Sequence, residues 1–216
     1  MIKFLVLVLL LPMLFSCEQS KITLKSKVTV EADSIAFWIA QSKQSKLDLA
    51  NKKLVLQKAY IAAQNIASDS IRNNFLAQIA IEAEVIDFDS LFIKVNKASL
   101  VLATKRKDFY RIGDGHWNYG NYYTDLEVVD SAYYHYHKAY ENFKLIKHDY
   151  FTAKMLYNMA FIQGRYKDYT GSEVLIFEAI SKFEKEDRYE RLYECYNYLG
   201  LIYIELEEFD RAIFCH

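Results

Sequence analysis

The chain has 216 residues, 52% of them hydrophobic and 25% charged, a balance that excludes a disordered polypeptide and leaves material for a packed core. A formal net charge of −1 excludes a nucleic-acid-binding segment, which needs a clustered excess of Lys and Arg. One proline and six glycines are too little turn punctuation for an all-β fold, so the chain reads as all-helical.

Residues 1–17 read as an address. Lys3 supplies a positive start, Phe4 to Phe15 an apolar stretch, and Ser16-Cys17 a cleavage-type end. The stretch is too short for a membrane-crossing helix, which needs about 20 residues. Leu14 to Cys17 resembles the bacterial lipobox. That resemblance implies cleavage before Cys17, lipidation of its thiol and anchoring of the exported chain at the periplasmic side of the inner or outer membrane; the alternative is a plain secretory signal. Residues 18–32, polar and Lys-rich, would then be a tether.

Apolar periodicity predicts helices at 33–44, 49–67, 70–86, 89–106, 108–126, 130–147, 150–166, 170–186 and 189–206, with a last one starting near 209. Two series of small residues run through them. Ala59, Ala98, Ala139 and Ala179 are 39, 41 and 40 residues apart, and Ala80, Gly120, Ala160 and Gly200 are 40 apart. From Gly120 the next landmarks are Tyr123 and Ala132; from Gly200, at the same offsets, they are Tyr203 and Ala212. Small residues on facing helices let the axes approach to about 8–10 Å, so Gly120 is expected against Ala132, Ala160 against Ser172 and Gly200 against Ala212.

This pattern resembles the tetratricopeptide repeat (TPR). The resemblance implies an all-α fold, a right-handed superhelical solenoid of antiparallel helix pairs, here with a period of about 40 residues. Residues 107–216 carry it fully, the last repeat truncated. Residues 33–106 read as degenerate repeats, because Lys52 and Leu91 or Phe92 stand where a small residue is wanted. HEAT-type repeats share the period but commonly hold a proline in the first helix, and none follows Pro12. The last helix stops in the middle of its apolar face, which points to a continuation beyond His216. The layout of lipobox, short helix and aromatic-rich repeats resembles the N-terminal extracytoplasmic region of Bacteroidetes lipoprotein and sensor regulators, in which a histidine kinase or helix-turn-helix output domain follows.

No catalytic constellation can be assembled, and no metal or cofactor site is expected. His135 and His137 are two apart on a helix, about 200° around its axis, and cannot share a metal. Cys195 and Cys215 lie on the two helices of the last hairpin, where a disulfide and free, buried thiols are both open. His148-Asp149 reads as a helix end and turn, and Gly113-Asp114-Gly115 lacks the strand and helix start of a phosphate loop.

What remains is a surface. In TPR solenoids the first helix of each pair lines the concave face, which implies a groove built from Asp114, Trp117, Asn121 and Asp125, then Lys154, Tyr157, Phe161 and Arg165, then Glu194, Asn197, Leu201 and Glu205. Trp117, Asn121, Lys154, Tyr157, Arg165 and Asn197 are the candidate ligand-binding residues; Trp, Tyr and Arg dominate binding hot spots. The competing reading has Trp117 and Tyr157 packing between repeats. Lys154 with Asn158 is one element of the carboxylate clamp by which some of these repeats grip peptide tails. The expected function is a non-enzymatic, lipid-anchored scaffold that binds a protein, a peptide or a second copy of itself. The alternative is the sensor part of a longer signal-transduction protein.

Overall fold

A computed structural model describes residues 30–215. The expected signal peptide, Cys17 and the tether as far as residue 29 lie outside them. Ten helices and no strand are present among the described residues. They are α1 (30–42), α2 (Leu49–Gln64), α3 (Asp69–Val85), α4 (Asp89–Arg106), α5 (Phe109–Asp125), α6 (Val129–Leu145), α7 (Asp149–Arg165), α8 (Tyr169–Glu184), α9 (Tyr189–Glu205) and α10 (Phe209–Phe214). From Leu49 to Phe209 every helix begins 20 residues after the one before it, so the 40-residue period is a pair of equal helices. The fold is an all-α helical-repeat solenoid of antiparallel helix pairs.

The chain divides into two compact units, Met1–Val95 and Asn96–His216. In the first, Asp48 caps α2 by accepting the Asn51 N–H at 2.9 Å, and Ser68 caps α3 through Ile71. Each cap satisfies an N–H that has no partner within the helix. Leu56, Ala59 and Ala63 form the buried stripe of α2, and Leu76, Ile79, Ala80 and Ala83 that of α3. Leu91, Phe92 and Val95 are buried in α4. Burial of each large aliphatic or aromatic side chain contributes about 1.5–3 kcal/mol.

In the second unit small residues sit at the helix crossings. Ala132, Ala160, Ser172 and Ala179 are fully buried, and the Ser172 hydroxyl donates to the Ala160 carbonyl at 2.8 Å, an approach that a larger side chain would prevent. Gly120 faces the ring of Tyr136 more closely than it faces Ala132: a Cβ at Gly120 would run into that ring. Gly113 does the same for Phe143, whose Cε1 a Cβ would meet at 2.9 Å. The Gly113-Asp114-Gly115 stretch is thus helix interior. The register also corrects one landmark. Twenty-residue spacing aligns Ser99, not Ala98, with Ala59, Ala139 and Ala179, and Ser99 is buried while Ala98 is half-buried.

One turn joins each successive pair of helices from α3 onward. Asp87, Lys107, Glu127, Lys147, Lys167, Asp187 and Glu207 all have positive φ, between 51° and 64°. At Lys147 the pattern is complete: its N–H donates to the Lys144 carbonyl at 3.0 Å, and the His148 N–H donates to Phe143 at 2.9 Å. These are the two bonds of a Schellman motif. The His148 carbonyl then accepts from Thr152 at 3.0 Å, so the residue that closes one helix opens the next. No glycine occupies any of these left-handed positions.

Candidate functional site

The 40-residue register puts Arg111, Phe151 and Arg191 in one row across α5, α7 and α9, then Asp114, Lys154 and Glu194, then Trp117, Tyr157 and Asn197. The Lys154 ammonium lies 4.2 Å from the centroid of the Trp117 ring, a cation–π contact, and Phe151 stands 5.6 Å from the same ring. Tyr157 meets Tyr198 of α9 edge-on at 5.9 Å, and Phe161 is 5.7 Å from Tyr198. Trp117 and Tyr157 both pack against the buried core while remaining partly exposed. Trp117, Lys154 and Tyr157 therefore form one continuous surface with Phe151 and Tyr198.

Charge is distributed along that surface in a definite way. Arg111 pairs with Asp114 at 3.1 Å, and Arg191 pairs with Glu194 at 2.7 Å while its Nε donates to the Tyr150 hydroxyl at 3.2 Å. Burial raises the Asp114 carboxyl above the usual carboxylate range, against the pull of Arg111. Lys154, between these two pairs, makes no ion pair among the described residues. Burial, with Arg191 nearby, lowers its ammonium below the ordinary lysine range, partly offset by Glu194. Burial, then Glu194, pushes the Tyr157 phenol up to about 12. The surface thus presents a half-buried cation with aromatic walls.

The other candidate residues sit differently. Asn121 accepts from the Tyr136 hydroxyl at 3.0 Å and is tied to α6, and Arg165 pairs with Glu127 at 2.9 Å. Asn197 is half-buried on α9 in the row of Trp117 and Tyr157. Cys195 and Cys215 are free thiols, and burial, then Glu194, pushes Cys195 up to about 12. A thiol in that state is a poor nucleophile. Cys17 lies outside the described residues.

Two features escaped the sequence. The repetition of Arg-x-x-Asp at Arg111–Asp114 as Arg191–Glu194, 80 residues on, was a readable signal for the charged rows. His135 has a partner in His116, 19 residues back across the α5–α6 hairpin, with Nδ1 to Nδ1 at 2.9 Å. Burial, then His135, lowers His116 to about 4. Among the described residues no group of three or more His, Cys, Asp or Glu is placed to hold a metal ion, and no helix is long and apolar enough to cross a membrane.

No family model and no curated protein matches the sequence. Solved structures do resemble it, two of them as follows. Aspartyl phosphate phosphatase F from Bacillus subtilis is 16% identical with a TM-score of 0.74, over 84% of this chain and 46% of that one. BtubC (BKLC) from P. vanneervenii is 12% identical with a TM-score of 0.68, over 87% of both chains. The chain spans about half the length of the phosphatase. At these identities the likeness carries the fold, a TPR-like helical repeat.

Proposed function

We propose that the chain is a non-enzymatic scaffold that binds a protein segment or peptide along the α5–α7–α9 surface. One observation carries this reading: Lys154, half-buried over the Trp117 ring and without an ion-pair partner among the described residues, sits between two charge pairs that are already closed. A peptide carboxylate would complete it, and Trp117, Tyr157 and Tyr198 would supply the desolvated aromatic contact of a hot spot. The TPR-like fold supports the reading, since such repeats offer extended binding surfaces. One of the similar solved structures is named a phosphatase, but nothing of its activity transfers at 16% identity.

The test is a screen of immobilised acidic and neutral peptides against the full chain, repeated with Trp117→Ala and Lys154→Met. Loss of at least about 2 kcal/mol in affinity with an unchanged melting temperature supports a binding surface. Variants that melt early and leave affinity untouched make Trp117 a packing residue and end the proposal.

We further propose that the chain is exported and held at a bacterial membrane by lipid on Cys17; incorporation of an alkyne fatty acid, abolished by Cys17→Ala, tests this. The second reading is a sensor region followed by a signalling output domain. It is supported by the 46% coverage of the phosphatase, which places a repeat of this kind within a longer chain. The reading frame past His216, or the intact mass of the native protein, separates the two. Self-association is tested by sedimentation of the same sample.

A further inference from the structure

A cleft of about 640 Å³ opens between the first turns of α6, the end of α7 and the start of α8. Its polar wall is built from Asp130, Gln163 and Asp168, its aromatic wall from Tyr133, Tyr134 and Tyr166. Asp168 already caps α8, accepting the Gly171 N–H through Oδ1 at 3.0 Å, which leaves its other oxygen for a donor. Neither Asp130 nor Asp168 forms an ion pair among the described residues, and Gln163 Oε1 is buried without a donor. His137, at the far edge, faces Glu141 at 3.8 Å.

The same molecule shows what fills this place one repeat later. Forty residues on, Gly171 becomes Arg211, Asp168 becomes Glu208, Gln163 becomes Tyr203 and Tyr133 becomes Glu173. Arg211 donates to Glu173 at 2.5 Å, to Glu208 at 2.6 Å and to the Tyr203 hydroxyl, and its guanidinium lies 3.9 Å from the centroid of the Tyr203 ring. A cation there is held between two carboxylates and an aromatic face. In the earlier repeat one of those two carboxylates remains, as Asp168; Tyr133 stands where Glu173 does, and Gln163, with its unpartnered oxygen, where Tyr203 does, while Asp130 and the rings of Tyr134 and Tyr166 line the same cleft. Gly171 supplies no side chain there, and a Cβ on it would meet the Asp168 carboxylate.

We propose that this cleft binds an arginine side chain presented by a partner polypeptide, its guanidinium taking the position that Arg211 occupies in the next repeat. A guanidinium offers several donors in one plane to carboxylates in different directions, which an ammonium does not. The cleft is larger than a guanidinium and falls in the size range of ligand pockets. Tyr134 and Tyr166, 54% and 61% exposed, give its outer walls to an apolar residue beside the arginine. The proposal uses no residue of the α5–α7–α9 row around Trp117, so it stands or falls apart from the function proposed above.

Calorimetric titration of the full chain with a blocked leucyl-arginyl-phenylalanyl peptide, and with its citrulline and lysine counterparts, tests it. The arginine peptide is expected to bind, with the citrulline and lysine peptides at least about tenfold weaker. Asp168→Asn, which keeps a good helix cap, and Asp130→Asn should each weaken the arginine peptide, and Trp117→Ala should leave it unchanged. Equal affinity for the three peptides, unchanged affinity in both Asp variants, or absence of binding at millimolar peptide would overturn the proposal. Loss of binding in Trp117→Ala would also overturn it, by moving the peptide to the other surface. Melting temperatures of the variants separate lost binding from lost folding.

Discussion

At the second-helix position where the second unit carries Ala132, Ser172 and Ala212, the first unit carries Lys52 and Phe92, yet both units keep the same 20-residue step. Phe92 is fully buried, as Ala132 and Ser172 are. The difference teaches that the period resides in helix length and turn geometry, while the small-residue signature marks only the crossings where axes must come close. Bulk on one helix is met by a small partner where Gly113 faces Phe143, and the positions in register with the buried Phe143 and Phe183 are Ala63 and Ala103 in the earlier repeats.

The sharpest way to break that comparison is Phe92→Ala. If Phe92 were a misfit at a small-residue position, removing it would be neutral; as a fully buried ring it should cost about 3–5 kcal/mol by chemical denaturation. Acid comes next and separates the units, since His116 and His135, both lowered by burial, belong to the second. His116 binds its proton at about 4 when folded and near 6.5 when unfolded. Between those values the unfolded chain holds more protons, so stability rises with pH and is lost as pH falls from about 6.5 to 4, by about 2–3 kcal/mol. His116→Gln should flatten that slope, read from denaturation midpoints across the window.

Gly120→Ala should cost about 1–3 kcal/mol, because the gain in helix propensity is outweighed by the collision with Tyr136. Its first-unit counterpart, Ala80→Gly, should cost about 1 kcal/mol from propensity and the lost buried methyl; thermal melts of the pair show whether the second unit alone is tuned to glycine. The smallest effect has the opposite sign. Lys147→Gly should stabilise by about 0.5–1 kcal/mol, since a left-handed backbone is unfavourable for any residue with a Cβ.

The helices and their pairing were legible because Ala80, Gly120, Ala160 and Gly200 keep strict phase and the apolar stripes keep helical spacing. The turns were not. The usual glycine is missing, and Asp87, Lys107 and their successors are forced left-handed by the hydrogen bonds that bracket them. The rows around Trp117 and Lys154 followed from the resemblance, whereas the commitment of Asn121 to Tyr136 depends on a contact 15 residues away that no pattern announces. The cleft stayed hidden for another reason: its walls come from three helices, and the likeness of its place to that of Arg211 is visible only once Arg211 is seen at work in the next repeat.

Because His148 both ends α6 and begins α7, and its counterparts do the same, the connections contain no spare residue. A chain built this way counts in units of twenty. An insertion of one or two residues cannot be taken up as slack and would have to rotate everything downstream, while removal or duplication of a whole forty would leave each remaining row facing as before. Length, in this protein, behaves as a dial with widely spaced stops, and the number of side-chain rows is what the dial sets.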